Sequence, residues 1–471
     1  MRARLLLLTA ALAAFGASLG SGFHFDDYAI FADRALGSPS GWREVWSVSQ
    51  TRPLTFLTFW VNRQLGGDNP LGYHLVNLAL HLAAVLLAYE CLRRLLPAKA
   101  ALFAAALFAV HPLQAESVDY AWGRSIVLAA ALCFAAFTAW LEERRWLAVL
   151  LFVLALLAKE ECAAFPLALL LFDRKHWKPI AAMLAAALAA GVRVIYALAI
   201  TPGAPAGSRA GIDPWHYLLT QGPALWRYLR LLVFPYGFTV DPDIHTPAPW
   251  LGIAAWIALL GALAWLWKTL PEPARWLTVA LVLLLPSSSV FPAADLAADR
   301  RMYLPLFALA AAAALLVSRL RKETIAAIAV TIALTAVSFA RTQVWMSDEA
   351  LWREAVSRAP GKVRPKIQLS RNLPPAEALQ LLGKARELAP NDPGVPAETG
   401  RVLLTTGRPA EALAEFGRAL ALDPRDARNY NNRGVALEAL GQTEAARQDF
   451  ERALRIDPSL VTARENLQRV R

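Results

Sequence analysis

From Met1 to about Arg341 the chain runs as long apolar stretches separated by short basic clusters, whereas from Ser347 onward it reads as polar helical sequence dense in Arg, Glu and Asp. A stretch of about 20 apolar residues is needed to cross a bilayer. Candidates lie near residues 5–21, 72–92, 99–112, 122–141, 146–158, 162–173, 179–200, 251–267, 275–291, 303–318 and 324–340. They predict an all-α, polytopic membrane helix bundle of about 11 spans. Residues 215–234 carry Gln221, Gly222, Pro223, Arg227 and Arg230, a mixture that predicts a helix lying in the interface.

The basic clusters recur at every second turn: Arg2/Arg4, Arg93/Arg94/Lys99, Arg144/Arg145, Arg174/Lys175/Lys178, Lys268/Arg275 and Arg319/Arg321/Lys322. Reading all of them as cytoplasmic gives one consistent topology. The alternate loops, Phe23–Leu71, His111–Arg124, Lys159–Cys162, Thr201–Trp250 and Ser287–Arg301, then face outward together with the polar C-terminal part. The expected location is a bacterial inner membrane, with the N-terminus cytoplasmic and the C-terminal part periplasmic. The first apolar run also fits a cleavable signal peptide, which leaves the later topology unchanged; retention as the first span is preferred because other spans follow.

Composition agrees with this division. The chain is 57% hydrophobic yet 18% charged, so the charge has to be segregated. The net charge of +11 follows from the cytoplasmic clusters, and no nucleic-acid partner is expected. Cys91, Cys133 and Cys162 fall in or beside apolar segments without metal-ligand spacing and read as small hydrophobes.

In the C-terminal part Pro390, Pro424 and Pro458 recur at intervals of 34 residues, with Gly400/Gly434, Gly407/Gly441, Ala412/Ala446, Phe416/Phe450 and Ala419/Ala453 in register. That spacing is the tetratricopeptide signature, a helix-turn-helix unit that stacks into a solenoid. Two units are clear, and Ala378, Leu382 and Ala385 mark a degenerate third. The expected domains are 1–341 for the membrane bundle, 342–375 for a linker and 376–471 for an α-solenoid. Such arrays bind extended peptide, which makes a protein or peptide acceptor the expected partner; mere docking on the membrane part is the alternative.

Ionisable residues gather in the expected outer loops. Asp26 and Asp27 directly follow the first apolar run, and acid at that place is a functional hypothesis. Arg52, His111 with Glu116 and Arg124, Lys159-Glu160-Glu161, and Asp299-Arg300-Arg301 with Tyr303 add further polar groups. His74, Asn77 and His81 share one helical face. Hydrogen bonds between helices explain them better than a metal site does, and no metal-ligand set is assigned. No Walker loop or glycine-rich fingerprint occurs, so a nucleotide donor is not expected. A site on the outer face of such a bundle would most naturally take a lipid-borne substrate.

Taken in order, Phe25-Asp26-Asp27, Arg52-Pro53-Leu54-Thr55, His74-Leu75-Val76-Asn77 with His81, Ala109-Val110-His111-Pro112 with Glu116 and Gly123-Arg124, Lys159-Glu160, Arg227-Tyr228, Leu285-Pro286-Ser287-Ser288 and Tyr303-Leu304-Pro305 resemble the transmembrane and tetratricopeptide-repeat-containing proteins. These are protein O-mannosyltransferases of the GT-C superfamily. The resemblance runs over nearly the whole chain. Three departures stand out: the repeat array is short, Asp299 stands where the family usually has Glu before Arg, and the compact Ala/Leu/Arg-rich chain looks bacterial.

What the resemblance implies is inverting transfer of a sugar, mannose or another hexose, from a polyprenyl-phosphate carrier to a hydroxyl on the non-cytoplasmic face. A carboxylate must take the hydroxyl proton, and cations must hold the leaving phosphate. Asp26 or Asp27 is the expected base, with Glu116 orienting the acceptor or an arginine. Arg124, Lys159, Arg300 and Arg301 are the expected phosphate ligands, and Arg52, His74, Asn77, His111, Glu160 and Tyr303 are carried over as substrate-binding positions. A divalent ion on Asp26, Asp27, Glu116 and His111 stays open. Two alternatives remain: a GT-C enzyme acting on an envelope glycan or lipid, and a non-catalytic membrane-anchored scaffold.

Overall fold

The computed structural model describes residues 1–200, 211–293 and 295–470. It is all-α and divides into two units, Met1–Ser347 and Asp348–Arg471.

In the first unit seven helices among the described residues are long and apolar enough to cross a membrane, or eight if the bent pair Ala98–Val110 and Pro112–Val118 is one span. This is fewer than the eleven runs read from the sequence. The difference has local causes. The run at 146–158 is a helix of 14 residues, Arg145–Ala158; that at 275–291 is Pro271–Leu284, also 14 residues; and that at 162–173 breaks into a 3-10 turn and the five-residue helix Phe165–Leu169. At 1.5 Å rise per residue, 14 residues cover only about 21 Å of a hydrocarbon core of about 30 Å.

Helix starts are set by local chemistry. Pro opens the helices Pro53–Gly66, Pro70–Leu95, Pro214–Val233 and Pro249–Thr269, where its missing N–H costs nothing. Asn69 and Asp213 cap two of them through side-chain oxygens that accept from Leu71 N–H at 3.1 Å and Trp215 N–H at 3.0 Å, satisfying orphan donors of the first turn. Ala-rich Ala98–Val110 is buried along most of its length beside Tyr303–Val317, while Pro249–Thr269 turns almost all of its side chains outward. Small residues let backbones approach closely inside a membrane bundle, and large apolar ones face lipid.

The helix Pro214–Val233 does not simply lie on an interface. Tyr217, Gln221 and Tyr228 on one of its faces are buried and donate to Ser287 O, Leu296 O and Ala298 O at 2.7, 3.0 and 3.0 Å. The first ten residues of the expected Thr201–Trp250 loop, 201–210, lie outside the described residues.

The loop after the first helix folds over a small core of Ile30, Leu36, Val45, Phe59, Tyr73 and Ala121. Arg63 fixes it by donating to the carbonyls of Ile30, Phe31 and Asp33 at 3.2–3.3 Å.

In the second unit the 34-residue register has a direct packing cause. A Cβ on Gly400 would meet the Phe416 ring at 2.9 Å, and one on Gly434 would meet the Phe450 ring at 2.6 Å, so each first helix closes on its partner only without a side chain there. The expected linker 342–375 is instead largely helical, with helices Asp348–Arg358 and Arg364–Ser370. Burial of Leu351, Trp352, Ala355 and Leu369 explains why it folds. Lys366 stands 34 residues before Gly400, and Leu382 stands 34 before Phe416. The degenerate unit thus replaces a glycine–phenylalanine contact with a buried lysine whose Nζ donates to Pro360 O and Lys362 O at 2.5 and 2.9 Å.

Candidate active site

The structure gathers the loops 23–27, 111–124, 159–161 and 287–301, together with Arg52 and the helix Pro214–Val233, at one end of the first unit. Five cations meet there, and four of them form ion pairs with carboxylates. Arg52 grips Glu160 with two bonds, Nε to Oε2 at 3.0 Å and a terminal nitrogen to Oε1 at 2.6 Å. Arg300 bridges Glu116 at 2.5 Å and Asp295 at 2.7 Å, and its own backbone N–H donates to the other Glu116 oxygen at 3.0 Å. Lys159 pairs with Glu161 at 3.2 Å, and Arg227 with Asp299 at 2.6 Å.

One cation differs. Arg301 bonds only neutral acceptors: Tyr217 Oη at 3.2 Å, Leu296 O at 3.4 Å and Asp295 O at 2.5 Å. Among the described residues no carboxylate pairs with it. Arg301 and Lys159 line a small cavity of about 20 Å³ together with Glu161, Cys162, Ser287 and Pro305. The hydrogen bonds of Arg301 go to neutral acceptors, and the Glu161 carboxylate acts on it only through charge, so the guanidinium keeps capacity for an added anion.

The two adjacent acids are placed differently. Asp27 is fully buried, and both its oxygens are taken by backbone: Oδ1 accepts from Trp122 N–H at 2.7 Å and Oδ2 from His24 N–H at 3.0 Å. Burial nevertheless pushes its carboxyl up to about 7, against the lowering effect of His24 and the Trp122 N–H. Asp26 is exposed. The buried Tyr120 hydroxyl lies in the field of Asp27, Asp26 and Arg300, with Asp26 also acting on it through a side-chain hydrogen bond.

Electrostatics tie the rest together. Burial brings Lys159 down to about 8, opposed by Glu161 and reinforced by Arg52 and Arg300. For Glu160 burial acts upward, but Arg52, through charge and hydrogen bonds, and Lys159 outweigh it and hold the carboxyl at about 2.

Of the positions expected from sequence, Asp26, Asp27, Arg52, Glu116, Lys159, Glu160, Arg300 and Arg301 share this end. Arg124, expected as a phosphate ligand, does not face the cavity. It is wholly buried, donates to Asn77 Oδ1 at 2.9 Å and Tyr73 O at 3.0 Å, and lies 4.5 Å over the Phe59 ring. His74, Asn77, His81, His111 and Tyr303, expected as substrate-binding positions, are also buried in helix packing. His74 bonds Gly22 O at 3.0 Å, Asn77 donates to Tyr120 O at 2.8 Å, His81 bridges Tyr303 Oη at 2.7 Å and Ala109 O at 3.1 Å, and His111 bonds Leu232 O at 3.2 Å. No group of three His, Cys, Asp or Glu side chains among the described residues is placed to hold a metal ion. Asp295, Tyr217 and Tyr120 were not foreseen. Only membership of the expected outer loops hinted at Asp295, and the two tyrosines carry no charge to mark them.

Residues 398–460 match the family model described as tetratricopeptide repeat. Protein O-mannosyl-transferase Tmtc1 of Drosophila melanogaster is 43% identical over 120 residues, covering 23% of this chain and 14% of that protein. Over these stretches the chain is similar to TMTC protein O-mannosyl-transferases. Protein O-mannosyl-transferase TMTC1 of Homo sapiens is 37% identical over 149 residues, 28% of this chain and 17% of its own length. The chain therefore spans under a fifth of these TMTC relatives. Among solved structures it is similar to the first TPR of Spaghetti (RPAP3) bound to an HSP90 peptide, at 27% identity over 20% of this chain and 76% of that one, with a TM-score of 0.20.

Proposed function

We propose that this chain is a membrane glycosyltransferase that moves a hexose from a polyprenyl-phosphate carrier to a hydroxyl of a protein on the non-cytoplasmic face. The observation that carries the reading is the convergence of an exposed acid, Asp26, with Arg300, Lys159 and Arg301, whose hydrogen bonds go only to neutral acceptors, at one end of an apolar bundle. Asp26 takes the acceptor hydroxyl proton as that oxygen attacks C1. The bond between C1 and the phosphate oxygen breaks, and the lipid phosphate leaves with the bonding pair. Attack from the face opposite the leaving group inverts C1. Arg301 and Lys159 hold the charge that builds on the phosphate, as preorganised donors do most effectively where water is excluded. Asp27, with both oxygens engaged, holds the loop instead. Glu116 fixes Arg300 from its side chain and its backbone. The repeats present the acceptor polypeptide.

The test is transfer by the purified full chain in lipid, offered a panel of polyprenyl-phosphate sugars and a hydroxyl-bearing peptide. One donor should support transfer, and Asp26→Asn should slow it ~10²–10⁴-fold, the usual worth of a general base. An Asp26→Asn protein that folds and transfers at the wild-type rate contradicts the assignment of the base. Failure of every donor contradicts the activity itself.

A further inference from the structure

The last turn of the helix Glu323–Val344 runs into the acid loop and is not part of the charged cluster. Trp345, fully buried just past that helix, accepts a 2.7 Å hydrogen bond at its carbonyl from His24 Nε2. A carbonyl only accepts, so Nε2 carries the proton. The same His24 donates its backbone N–H to Asp27 Oδ2 and receives the Asp27 N–H on its own carbonyl at 2.6 Å. The Trp345 ring packs edge-on against His24 at 5.6 Å and tilted against Tyr120 at 5.8 Å. One turn earlier Thr342 Oγ1 lies 2.9 Å from Asp119 Oδ2 and 3.4 Å from Ala14 O.

These contacts form a closed frame. Burial drives the Asp119 carboxyl well above its ordinary value, against the lowering effect of the Thr342 hydroxyl and of Arg341. The Thr342 hydroxyl donates to Asp119 Oδ2 and reaches Ala14 O, so it ties the two segments together. One helix end thus holds Ala14 at the end of the first helix, Asp119 and Tyr120 on the far side of the site, and His24 at the base of the acid loop.

We infer that Thr342 and Trp345 are positioning residues, a strap that fixes the Asp26–Asp27 loop through His24. The catalytic consequence rests on the glycosyltransferase reading; the positioning does not. A misplacement of about 1 Å costs on the order of 10²-fold in rate, so a strap of this kind acts on turnover and leaves donor affinity alone.

Two readouts test it in the full chain. In hydrogen-exchange mass spectrometry, His24→Leu should speed exchange in the peptides covering 23–31 and 119–124. His24→Gln, whose Nε2 restores the donor, should return exchange to the wild-type rate. In transfer assays His24→Leu should lower kcat ~10–100-fold with donor KM within about twofold, and His24→Gln should recover most of that loss. Trp345→Ala, with the carbonyl kept but the ring lost, should fall between them. Unchanged exchange in His24→Leu, or equal acceleration in His24→Leu and His24→Gln, overturns the strap whatever the activity. Absence of transfer in the wild type with the expected exchange pattern contradicts the enzymatic reading and leaves the strap standing.

Discussion

Two polar groupings lie within the first unit and are built from similar residues in different ways. At the loop end, cations pair with carboxylates, an acid stays exposed and Arg301 keeps only neutral acceptors. Along the helix Pro70–Leu95, His74, Asn77 and His81, with Arg124, are buried and bond backbone carbonyls, a tyrosine hydroxyl or one another. Both look like functional polar residues in an apolar chain. The first pairs charges between loops, and the second uses polarity to join helices where hydrocarbon offers no partner.

If the two groupings differ as described, substitutions should separate activity from stability. The largest effect belongs to Asp26→Asn, with transfer down ~10²–10⁴-fold and melting temperature unchanged, since an exposed carboxylate contributes little to stability. Arg301→Ala should follow, lowering transfer about 10²-fold through the leaving phosphate; an equal loss in Arg124→Ala without loss of folding would erase the distinction.

The next effect is a pH dependence. Asp27 has its carboxyl raised to about 7 from an ordinary 3.8, so the folded chain holds that proton more tightly than the unfolded one. Its contribution to stability is fully present below about 4 and is lost as pH rises toward 7. Removing it with Asp27→Asn should flatten the stability profile by roughly 2–4 kcal/mol between those limits. Thermal unfolding in detergent at several pH values checks this. Finally, Asn77→Leu, which strands the Arg124 Nε donor, should destabilise by about 2 kcal/mol and leave kcat within about twofold. A large fall in kcat there would move Asn77 into the site.

Much of this was legible in the sequence, because ionisable residues at the ends of apolar runs are conspicuous. Asp26-Asp27, Glu116, Lys159-Glu160 and Arg300-Arg301 stood out for that reason. Their pairings did not. Glu116 and Arg300 are 184 positions apart, and nothing local selects one arginine over another. Adjacent acids also look alike in a sequence; only the fold of the loop buries Asp27 under two backbone donors and leaves Asp26 open. For His74, Asn77 and His81 the shared face was readable, but their acceptors are mostly backbone carbonyls that no side chain announces. The apolar content of 162–173 was readable, but not its break into a 3-10 turn and a five-residue helix; residues 342–375 fold around few but buried residues such as Trp352 and Leu351.

The measurement that bears most directly on the division between the two groupings is transfer from purified polyprenyl-phosphate sugar by wild-type, Asp26→Asn, Arg301→Ala and Asn77→Leu proteins, each checked for folding by its melting temperature. Sugar appearing on a peptide hydroxyl with wild type and Asn77→Leu, and falling at least tenfold with Asp26→Asn and Arg301→Ala, is the predicted result. Wild-type rates in folded Asp26→Asn and Arg301→Ala proteins would contradict it.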